Sequence, residues 1–206
     1  MLVIVDYGVG NLASIKNMLG RADANALISS EKKDILSASG IILPGIGAFD
    51  HCMEMFHSSG LREIITKRVL EEGIPILGIC VGLQMMMESS EEGIKPGLGW
   101  IHGDVIKFRR ELIGNLKIPH MGWTEVTIKK ESYLSDNFLE EPRFYFVHSF
   151  HVRLKDPTDE LMTAKYGYDF TAAIQRNNIF GVQFHPEKSH KFGMRLLRNF
   201  AAISYN

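Results

Sequence analysis

Cys80 lies at the point where an apolar run meets the start of a predicted helix. Two glycines flank it in the motif Gly78-Ile-Cys80-Val-Gly82. Small flanking residues permit the sharp strand-to-helix turn that exposes a nucleophile, as in the Gly-x-Ser-x-Gly elbow. The helix N-terminus favours a thiolate and offers backbone N–H groups to an oxyanion. A lone cysteine in an apolar run is usually a small buried hydrophobe, but the two glycines favour a nucleophile here.

A histidine and a glutamate follow a second short apolar run, residues 179–184. His185 and Glu187 therefore come at the carboxyl end of a predicted strand, where sites cluster in open α/β sheets. A cysteine nucleophile needs an imidazole to take up and return its proton, and a carboxylate to orient that imidazole. The His-Pro-Glu segment alone is equally compatible with a capped loop. Together with the Cys80 elbow, it predicts a Cys80–His185–Glu187 catalytic triad.

At these residues the sequence resembles the class I glutamine amidotransferases of the triad type. Within that family it is similar to the glutaminase subunits of imidazole glycerol phosphate synthases. The elbow and the His-Pro-Glu motif mark the superfamily, whereas Pro119-His-Met-Gly-Trp123 and Phe144-Tyr-Phe-Val-His-Ser149 mark the subunit type. The resemblance covers nearly the whole chain and also runs through Asp6-Tyr-Gly-Val-Gly-Asn11, Leu43-Pro-Gly-Ile-Gly-Ala-Phe49 and the segment 196–200.

The resemblance implies an α/β fold with an open, mostly parallel central sheet flanked by helices, flavodoxin-like, and additional antiparallel strands in the second half. It implies a single domain over residues 1–206, with no cofactor and no metal. The implied reaction is hydrolysis of L-glutamine to glutamate and ammonia through a cysteine thioester. The ammonia would pass to a (β/α)8-barrel synthase subunit, in a heterodimer that makes imidazole glycerol phosphate and AICAR in histidine biosynthesis.

The same resemblance assigns roles to further residues. The peptide between Ile46 and Gly47, with the N–H of Val81, would form the oxyanion hole. On sequence alone the Pro-Gly-Ile-Gly segment is equally compatible with a plain turn, although glycine accepts φ > 0 and lets N–H groups point inward. The residues implied to bind glutamine are Gln84, Glu92, His148, Ser149 and Phe150. The residues implied at the partner interface are Asn11, Trp123, Tyr145 and Lys188.

Composition agrees with one globular domain. The chain has 206 residues, of which 45% are apolar, enough for a full core. Its formal net charge is −1 and it has no basic stripe, so we expect no nucleic-acid partner. The two cysteines, Cys52 and Cys80, form no disulfide framework and indicate a reducing, cytoplasmic setting, with Cys52 an ordinary packed thiol. The apolar start is too short for a signal peptide or a membrane span.

Periodicity predicts alternating strands and helices, followed by a half richer in strands. The predicted parallel strands are residues 2–6, 40–43, 74–78 and 179–184. The predicted helices are residues 11–21, 61–72, 83–88 and 188–203. The predicted later strands are residues 104–108, 124–128, 144–147, 161–165 and 171–176. Residues 146–152 alternate like one continuous strand, which would send His148 and His151 to opposite faces and argues against a histidine metal site.

A Gly-x-Gly-x-x-Ala segment after the first strand formally matches a dinucleotide-binding loop, with Glu31 placed for a ribose. We interpret Gly8 and Gly10 as turn glycines instead. The preference rests on the cysteine chemistry predicted at this sheet edge and on the resembling family, which uses the loop at its partner interface. Asn11 would then lie near the ammonia exit.

Several alternatives remain open on the sequence. Phe150-His151 stands where the resembling subunits often carry Tyr-Tyr or Tyr-Arg, and the segment 188–193 also differs. Such variants resemble duplicated subunits that feed ammonia to a sugar amidotransferase in surface-polysaccharide biosynthesis. Other classes are a γ-glutamyl hydrolase, a cysteine peptidase, a pyridoxal phosphate-forming glutaminase and a catalytically idle binding subunit. The intact triad argues against the last of these.

Overall fold

A five-stranded parallel sheet forms one half of the fold. The computed structural model describes residues 1–204. The strands, in spatial order, are β2 (Ala26–Ser29), β1 (Leu2–Val5), β3 (Gly40–Gly45), β4 (Ile76–Cys80) and β12 (Ile179–Val182). Every residue of the four inner strands is buried, because helices cover both faces of the sheet. The order β2-β1-β3-β4-β12 is the flavodoxin-like order, in which sites form at the carboxyl ends of the strands.

Amphipathic helices connect the parallel strands. The helices are α1 (Leu12–Arg21), α2 (Lys32–Ser37), α3 (Phe49–Ser58), α4 (Arg62–Leu70), α5 (Val81–Met85), α6 (Arg110–Ile113) and α7 (His190–Ile203). Helix α1 buries Ile15, Met18 and Leu19, the spacing of one helical face. Helix α1 packs against α7, and α2 packs against α4. Within residues 1–204 none of the helices has the length and apolar content to cross a bilayer.

Antiparallel strands extend the sheet beyond β12. The strands of this half are β5 (Ser89–Ser90), β6 (Gly103–Lys107), β7 (His120–Ile128), β8 (Arg143–His148), β9 (Phe150–Leu154), β10 (Glu160–Tyr166) and β11 (Tyr168–Arg176). β12 pairs antiparallel with β11, and the sheet continues from β11 through β10 and β7 to β8. β9 pairs with both β11 and β6. The predicted fold class, a parallel α/β sheet with antiparallel strands added in the second half, is confirmed.

Two predicted elements near the site are shifted along the chain. The strand expected over residues 74–78 runs from Ile76 to Cys80, because the ladder to β3 and β12 begins at Ile76. The helix expected over residues 83–88 starts earlier, at Val81, and ends at Met85. It ends early because Ser89 pairs with β6, which draws the chain into a new strand. Cys80 is therefore the last residue of its strand and directly adjoins the helix.

The prediction of one strand over residues 146–152 is wrong. The chain breaks at Ser149, where β8 ends and β9 begins. The alternation is lost at that break, so His148 and His151 do not diverge, and both rings contact Phe108 at centroid distances of 5.2 Å and 4.8 Å. The helix expected from residue 188 begins at His190, since residues 186–188 form a 3-10 turn that starts with Pro186. Strand β2 and helix α2 were not predicted.

Candidate active site

Cys80 sits on a strained turn between β4 and α5. Its φ is +56°, a conformation that non-glycine residues rarely adopt. Glycine is required on both sides, because a Cβ on Gly82 would overlap the carbonyl oxygen of Leu43 and one on Gly78 would lie 2.7 Å from the backbone N of Leu83. The two glycines let α5 approach β3 and β4 closely. This is the nucleophile-elbow geometry that the motif predicts.

His185 comes to Cys80 through strand pairing. β12 runs parallel to β4, and Val182 at its end lies beside Ile79. Cys80 and the loop that carries His185 therefore leave the sheet at the same edge. The Nδ1–H of His185 donates to Glu187 Oε1 at 2.8 Å, and the two side chains are only 4% and 1% exposed. Burial lowers the pKa of His185, but hydrogen bonds to Cys80 and Glu187 and the attraction of both groups outweigh it and raise the pKa to about 9.

Backbone bonds fix the position of His185. Its N–H donates to the carbonyl of Tyr145 on β8 at 2.9 Å. The hydroxyl of Ser189 donates to the carbonyl of His185 at 2.6 Å, and the N–H of Tyr145 donates to that hydroxyl at 3.0 Å. The loop that carries the imidazole is therefore tied to β8 on both sides. Movement of β8 would be transmitted directly to His185.

A cavity of about 380 Å³ opens in front of Cys80 and His185. It brings together residues that lie far apart in the sequence. Its lining consists of Ile46, Gly47, Cys80, Val81, Gln84, Glu92, Pro119, Val147, His148, Ser149, Phe150, His185 and Lys188. Every residue predicted for the oxyanion hole and for glutamine binding is in this set. Glu187 lies behind the His185 ring, as an orienting carboxylate must.

The hydrogen bonds of the lining residues limit what each can offer a ligand. Gln84 uses its amide Nε2 twice, donating to the carbonyl of Phe150 at 3.2 Å and to Gln183 Oε1 at 3.1 Å. Its carbonyl oxygen is the atom that remains for a ligand. Glu92 Oε2 accepts from the N–H of Phe49 at 2.9 Å, which ties this carboxylate to the start of α3. His148 engages both ring nitrogens within the protein, so its side chain is a support for the site.

Gln183 is a residue of the site that the sequence motifs do not predict. Its side chain is fully buried, and its Nε2 donates to the Cys80 sulfur at 3.7 Å. It thereby connects Cys80 to Gln84. A signal was available, since Gln183 and His185 are two residues apart after a strand and alternation places such residues on the same face. Pro119 and Val147 also line the cavity and were not predicted to do so.

Cys52 is buried, as expected of a packed thiol, but it also contacts the site. Its sulfur donates to the carbonyl of Ile46 at 3.3 Å, which anchors the segment that leads to Gly47. Burial is the main cause that raises the pKa of Cys52 to about 11, so the thiol stays protonated and able to donate at neutral pH. The Tyr7 hydroxyl anchors the same segment two residues before Ile46, because it donates to the carbonyl of Pro44 at 2.6 Å.

Three of the four predicted interface residues form one surface patch. Trp123 is 44% exposed and lies 6.3 Å from the ring of Tyr145. Lys188 places its Nζ 5.8 Å from the centroid of that ring and also lines the cavity. The His190 ring stacks on that of Trp123 at a centroid distance of 5.4 Å, with the two ring planes nearly parallel. Asn11 precedes α1, which packs against the 3-10 turn of residues 186–188.

The remaining motifs have structural explanations. Gly8 and Gly10 both have positive φ, +87° and +118°, as turn glycines do, and the N–H of Gly8 donates to Asp6. Among residues 1–204, no three His, Cys, Asp or Glu side chains are grouped so that they could hold a metal ion. The histidine cluster of β7, β8 and β9 is instead packed among aromatic rings.

These features are those of a known protein family. The chain belongs to the class I glutamine amidotransferases, since the model of the family "Glutamine amidotransferase class-I" matches residues 3–203. It is 49% identical over 203 residues to imidazole glycerol phosphate synthase subunit HisH 2 of Pseudomonas aeruginosa, covering 98% of this chain and all of that one. It is 45% identical to imidazole glycerol phosphate synthase subunit HisH of Leptospira borgpetersenii, again over 98% of this chain and all of that one.

Solved structures agree on the fold. A structure described as a glutamine amidotransferase superposes with a TM-score of 0.74 at 20% identity and covers 99% of both chains. The structure of PurLQS from Thermotoga maritima superposes with a TM-score of 0.73 at 18% identity, over 98% of this chain and 97% of that one. At these identities the likeness establishes the α/β architecture alone.

Proposed function

We propose that this chain is the glutaminase subunit of an imidazole glycerol phosphate synthase, acting as one domain over residues 1–206 in the cytoplasm. The observation that carries the proposal is that Cys80 and His185 line the same cavity while Glu187 bonds to the His185 ring from behind at 2.8 Å. The names of its relatives, at 43–49% identity over nearly the whole chain, support the assignment to this synthase. Two free cysteines support a reducing compartment.

The first half of the reaction forms a thioester. The Cys80 thiolate attacks the carboxamide carbon of L-glutamine, and the carbonyl electron pair moves onto oxygen. The N–H groups of Gly47 and Val81 stabilise that oxyanion, a contribution of about 3 kcal/mol for a well-placed donor. Protonated His185 gives its proton to the carboxamide nitrogen, and ammonia leaves as the C–N bond breaks. Glu187 keeps the imidazole oriented and stabilises its charge.

The second half releases glutamate. Neutral His185 accepts a proton from water, whose oxygen attacks the thioester carbon. The C–S bond breaks, the thiolate returns to Cys80, and His185 is again protonated. One glutamine and one water thus give one glutamate and one ammonia. No step requires an oxidant, a metal or a cofactor.

The cavity supports a free amino acid as substrate. A volume of about 380 Å³ suits a small ligand and is at the low end of ordinary ligand pockets. Glu92 offers a carboxylate to the substrate ammonium, and Gln84 offers its carbonyl oxygen beside it. Ser149 and Phe150 would approach the substrate carboxylate through their backbone. These groups favour glutamine over the γ-glutamyl peptides or protein chains of the alternative hydrolases.

Replacement of Cys80 tests the proposed chemistry. Cys80→Ala and Cys80→Ser should abolish glutamine hydrolysis while leaving the melting temperature within a few degrees, because each change removes or replaces a single sulfur atom of a residue that borders the cavity. Incubation with radiolabelled glutamine followed by acid quench should trap label on the parent chain and none on Cys80→Ala. Hydrolysis that persists in the alanine variant would remove Cys80 as nucleophile. Added ammonia should restore synthesis in the complex with the partner.

The patch of Trp123, Tyr145 and Lys188 supports a docking surface for the barrel partner. Lys188 is both a member of this patch and part of the cavity wall, so docking there can move a residue of the active site. We expect a low glutaminase rate from the chain alone and a large increase with the barrel and its sugar phosphate ligand. Lys188→Ala should reduce that increase. Arg195→Ala, outside the patch on α7, serves as control, and full activity of the isolated chain would contradict the switch.

A second acceptor is favoured by one observation. The departures at Phe150-His151 and in residues 188–193 lie beside the patch and the cavity, and two relatives are named as HisH 2. Ammonia could therefore pass to a sugar amidotransferase, with the glutaminase chemistry unchanged. Reconstitution with each class of partner distinguishes the two. Stimulation of glutamine hydrolysis by the cyclase barrel alone would establish the histidine pathway, and stimulation only by the sugar amidotransferase would replace it.

A further inference from the structure

Two buried histidines form a hydrogen-bonded chain between the outer strands and the cavity. His120 on β7 pairs in register with His148 on β8. Thr124 Oγ1 lies 2.8 Å from His120 Nε2, and His120 Nδ1 lies 3.0 Å from His148 Nε2. His148 Nδ1 lies 2.8 Å from the carbonyl oxygen of Phe150. The chain therefore ends on a residue that lines the cavity.

The direction of each bond follows from the last acceptor. A carbonyl oxygen only accepts, so His148 Nδ1 carries the hydrogen and its Nε2, in the neutral ring, is an acceptor. His120 Nδ1 must then donate to His148, which leaves His120 Nε2 to accept from the hydroxyl of Thr124. Each tautomer is determined by the bond before it. Loss of one donor would leave its neighbour without a partner in a buried site, which is costly.

The rings that form the chain are held rigidly. His120 is stacked between Tyr166, at a centroid distance of 4.1 Å, and Phe146, at 5.0 Å. His148 contacts Phe108 and Phe170 at 5.2 Å each. Burial lowers the pKa of His120 to about 4 and that of His148 well below its ordinary value, so both rings are neutral at pH 7. The hydrogen-bond directions derived above require both His120 and His148 to be neutral.

The segment at the end of this chain is held in one orientation. The Phe150 carbonyl receives a second bond, from Gln84 Nε2 at 3.2 Å. The carbonyl of Ser149 accepts from the N–H of Phe108 at 3.2 Å, which directs the Phe150 N–H of the same peptide the opposite way. Both peptides of the break between β8 and β9 are thus oriented by their partners. This break is where the backbone would meet the substrate carboxylate.

We propose that His120, with Thr124 behind it, is a positioning residue that acts through His148 to orient the Ser149–Phe150 backbone for the α-carboxylate of glutamine. This inference rests on the proposed function. His120 does not itself line the cavity, so its effect is on substrate affinity and not on the chemistry at Cys80. Trp123 lies between His120 and Thr124 in the sequence of β7, but its side chain is exposed on the opposite face of that strand.

The first test measures L-glutamine binding by titration calorimetry to the full chain carrying Cys80→Ala, where binding occurs without turnover. Thr124→Val removes the donor to His120 and keeps the side-chain shape, whereas Thr124→Ser keeps the hydroxyl and is the matched control. We expect Kd to rise about fivefold or more in the valine variant and to stay within about twofold in the serine variant. Equal Kd values in the two variants would overturn the proposal.

A second pair of variants tests His120 directly. His120→Leu should weaken binding at least as much as Thr124→Val, and His120→Asn, which keeps a donor near the Nδ1 position, should recover most of the affinity. His151→Leu is the control, because His151 is equally buried and contacts Phe108, but its Nε2 bonds to Tyr168. If the two leucine variants lose similar melting temperature but only His120→Leu binds L-glutamine more weakly, the result supports a positioning role for His120. Equal weakening in both contradicts it.

The ligand can be varied as well. L-Glutaminamide lacks the α-carboxylate, so Thr124→Val should affect its binding much less than that of L-glutamine. Iodoacetamide should alkylate Cys80 at the same rate in Thr124→Val and in the parent chain, since the triad is untouched. If L-glutamine fails to bind Cys80→Ala at all, the proposed function is wrong. If L-glutamine binds Cys80→Ala, and every further variant in that background has the same Kd, only the proposed role of His120 is wrong.

Discussion

Replacement of Glu187 by glutamine separates orientation from charge in the triad. The amide keeps an oxygen that can accept from His185 Nδ1, but it carries no negative charge. Both side chains are buried and their atoms lie 2.8 Å apart, so the lost interaction is a charge-assisted bond shielded from water. Such a bond contributes about 1.5–3 kcal/mol. At 1.36 kcal/mol for each factor of ten, kcat/KM should fall about 10- to 150-fold.

The same change should move the pH profile. Glu187 is one of the groups that raise the pKa of His185 to about 9, so its neutralisation lowers that pKa. Protonated His185 supplies the proton to the departing ammonia, and activity therefore declines as pH rises through its pKa. In the parent chain we expect the decline at about pH 9. In Glu187→Gln the decline should occur at a lower pH.

The assay is steady-state release of glutamate from pH 6 to 10, with the partner present. His185→Ala should lose about 10³-fold or more, because it removes the proton carrier itself. Glu140→Gln is the control, since Glu140 is an exposed carboxylate paired with Lys191. A larger loss in Glu187→Gln than in His185→Ala would refute the orienting role. An unmoved alkaline decline would refute the charge argument.

Two further predictions concern stability. Gly82→Ala should lower the melting temperature and abolish glutaminase activity, because its Cβ would overlap the Leu43 carbonyl, whereas Gly20→Ala in α1, with nothing near the added methyl, should be neutral or stabilising. Three buried histidines have lowered pKa values in the folded chain, so between pH 6.5 and 4 they take up a proton only when the chain unfolds. The free energy of unfolding, measured by urea denaturation, should therefore fall as the pH drops through this range, by up to about 1.4 kcal/mol per site per pH unit. The three are His120, His148 and His151. His185 has the opposite sign, and its contribution is full below pH 6.5 and is lost as pH rises through about 9.

The sequence by itself determined the features that depend on near neighbours in the chain. Glycines on either side of Cys80 indicate an elbow because the turn is built from those residues alone. His185 and Glu187 are two residues apart, so their pairing needs no knowledge of the fold. Apolar runs and helical periodicity also gave the alternation of the parallel half. The resemblance then supplied the oxyanion and glutamine residues, and all of them line the cavity.

Tertiary structure alone decided the features that depend on strand register and on breaks in strands. Alternation through residues 146–152 predicted divergent histidines, and the break at Ser149 brings both against Phe108. The bond from His120 to His148 exists because β7 and β8 pair in one register, and a shift of one residue would point the His120 ring to solvent. Register and breaks are set by contacts between segments far apart in the chain, which local patterns do not encode.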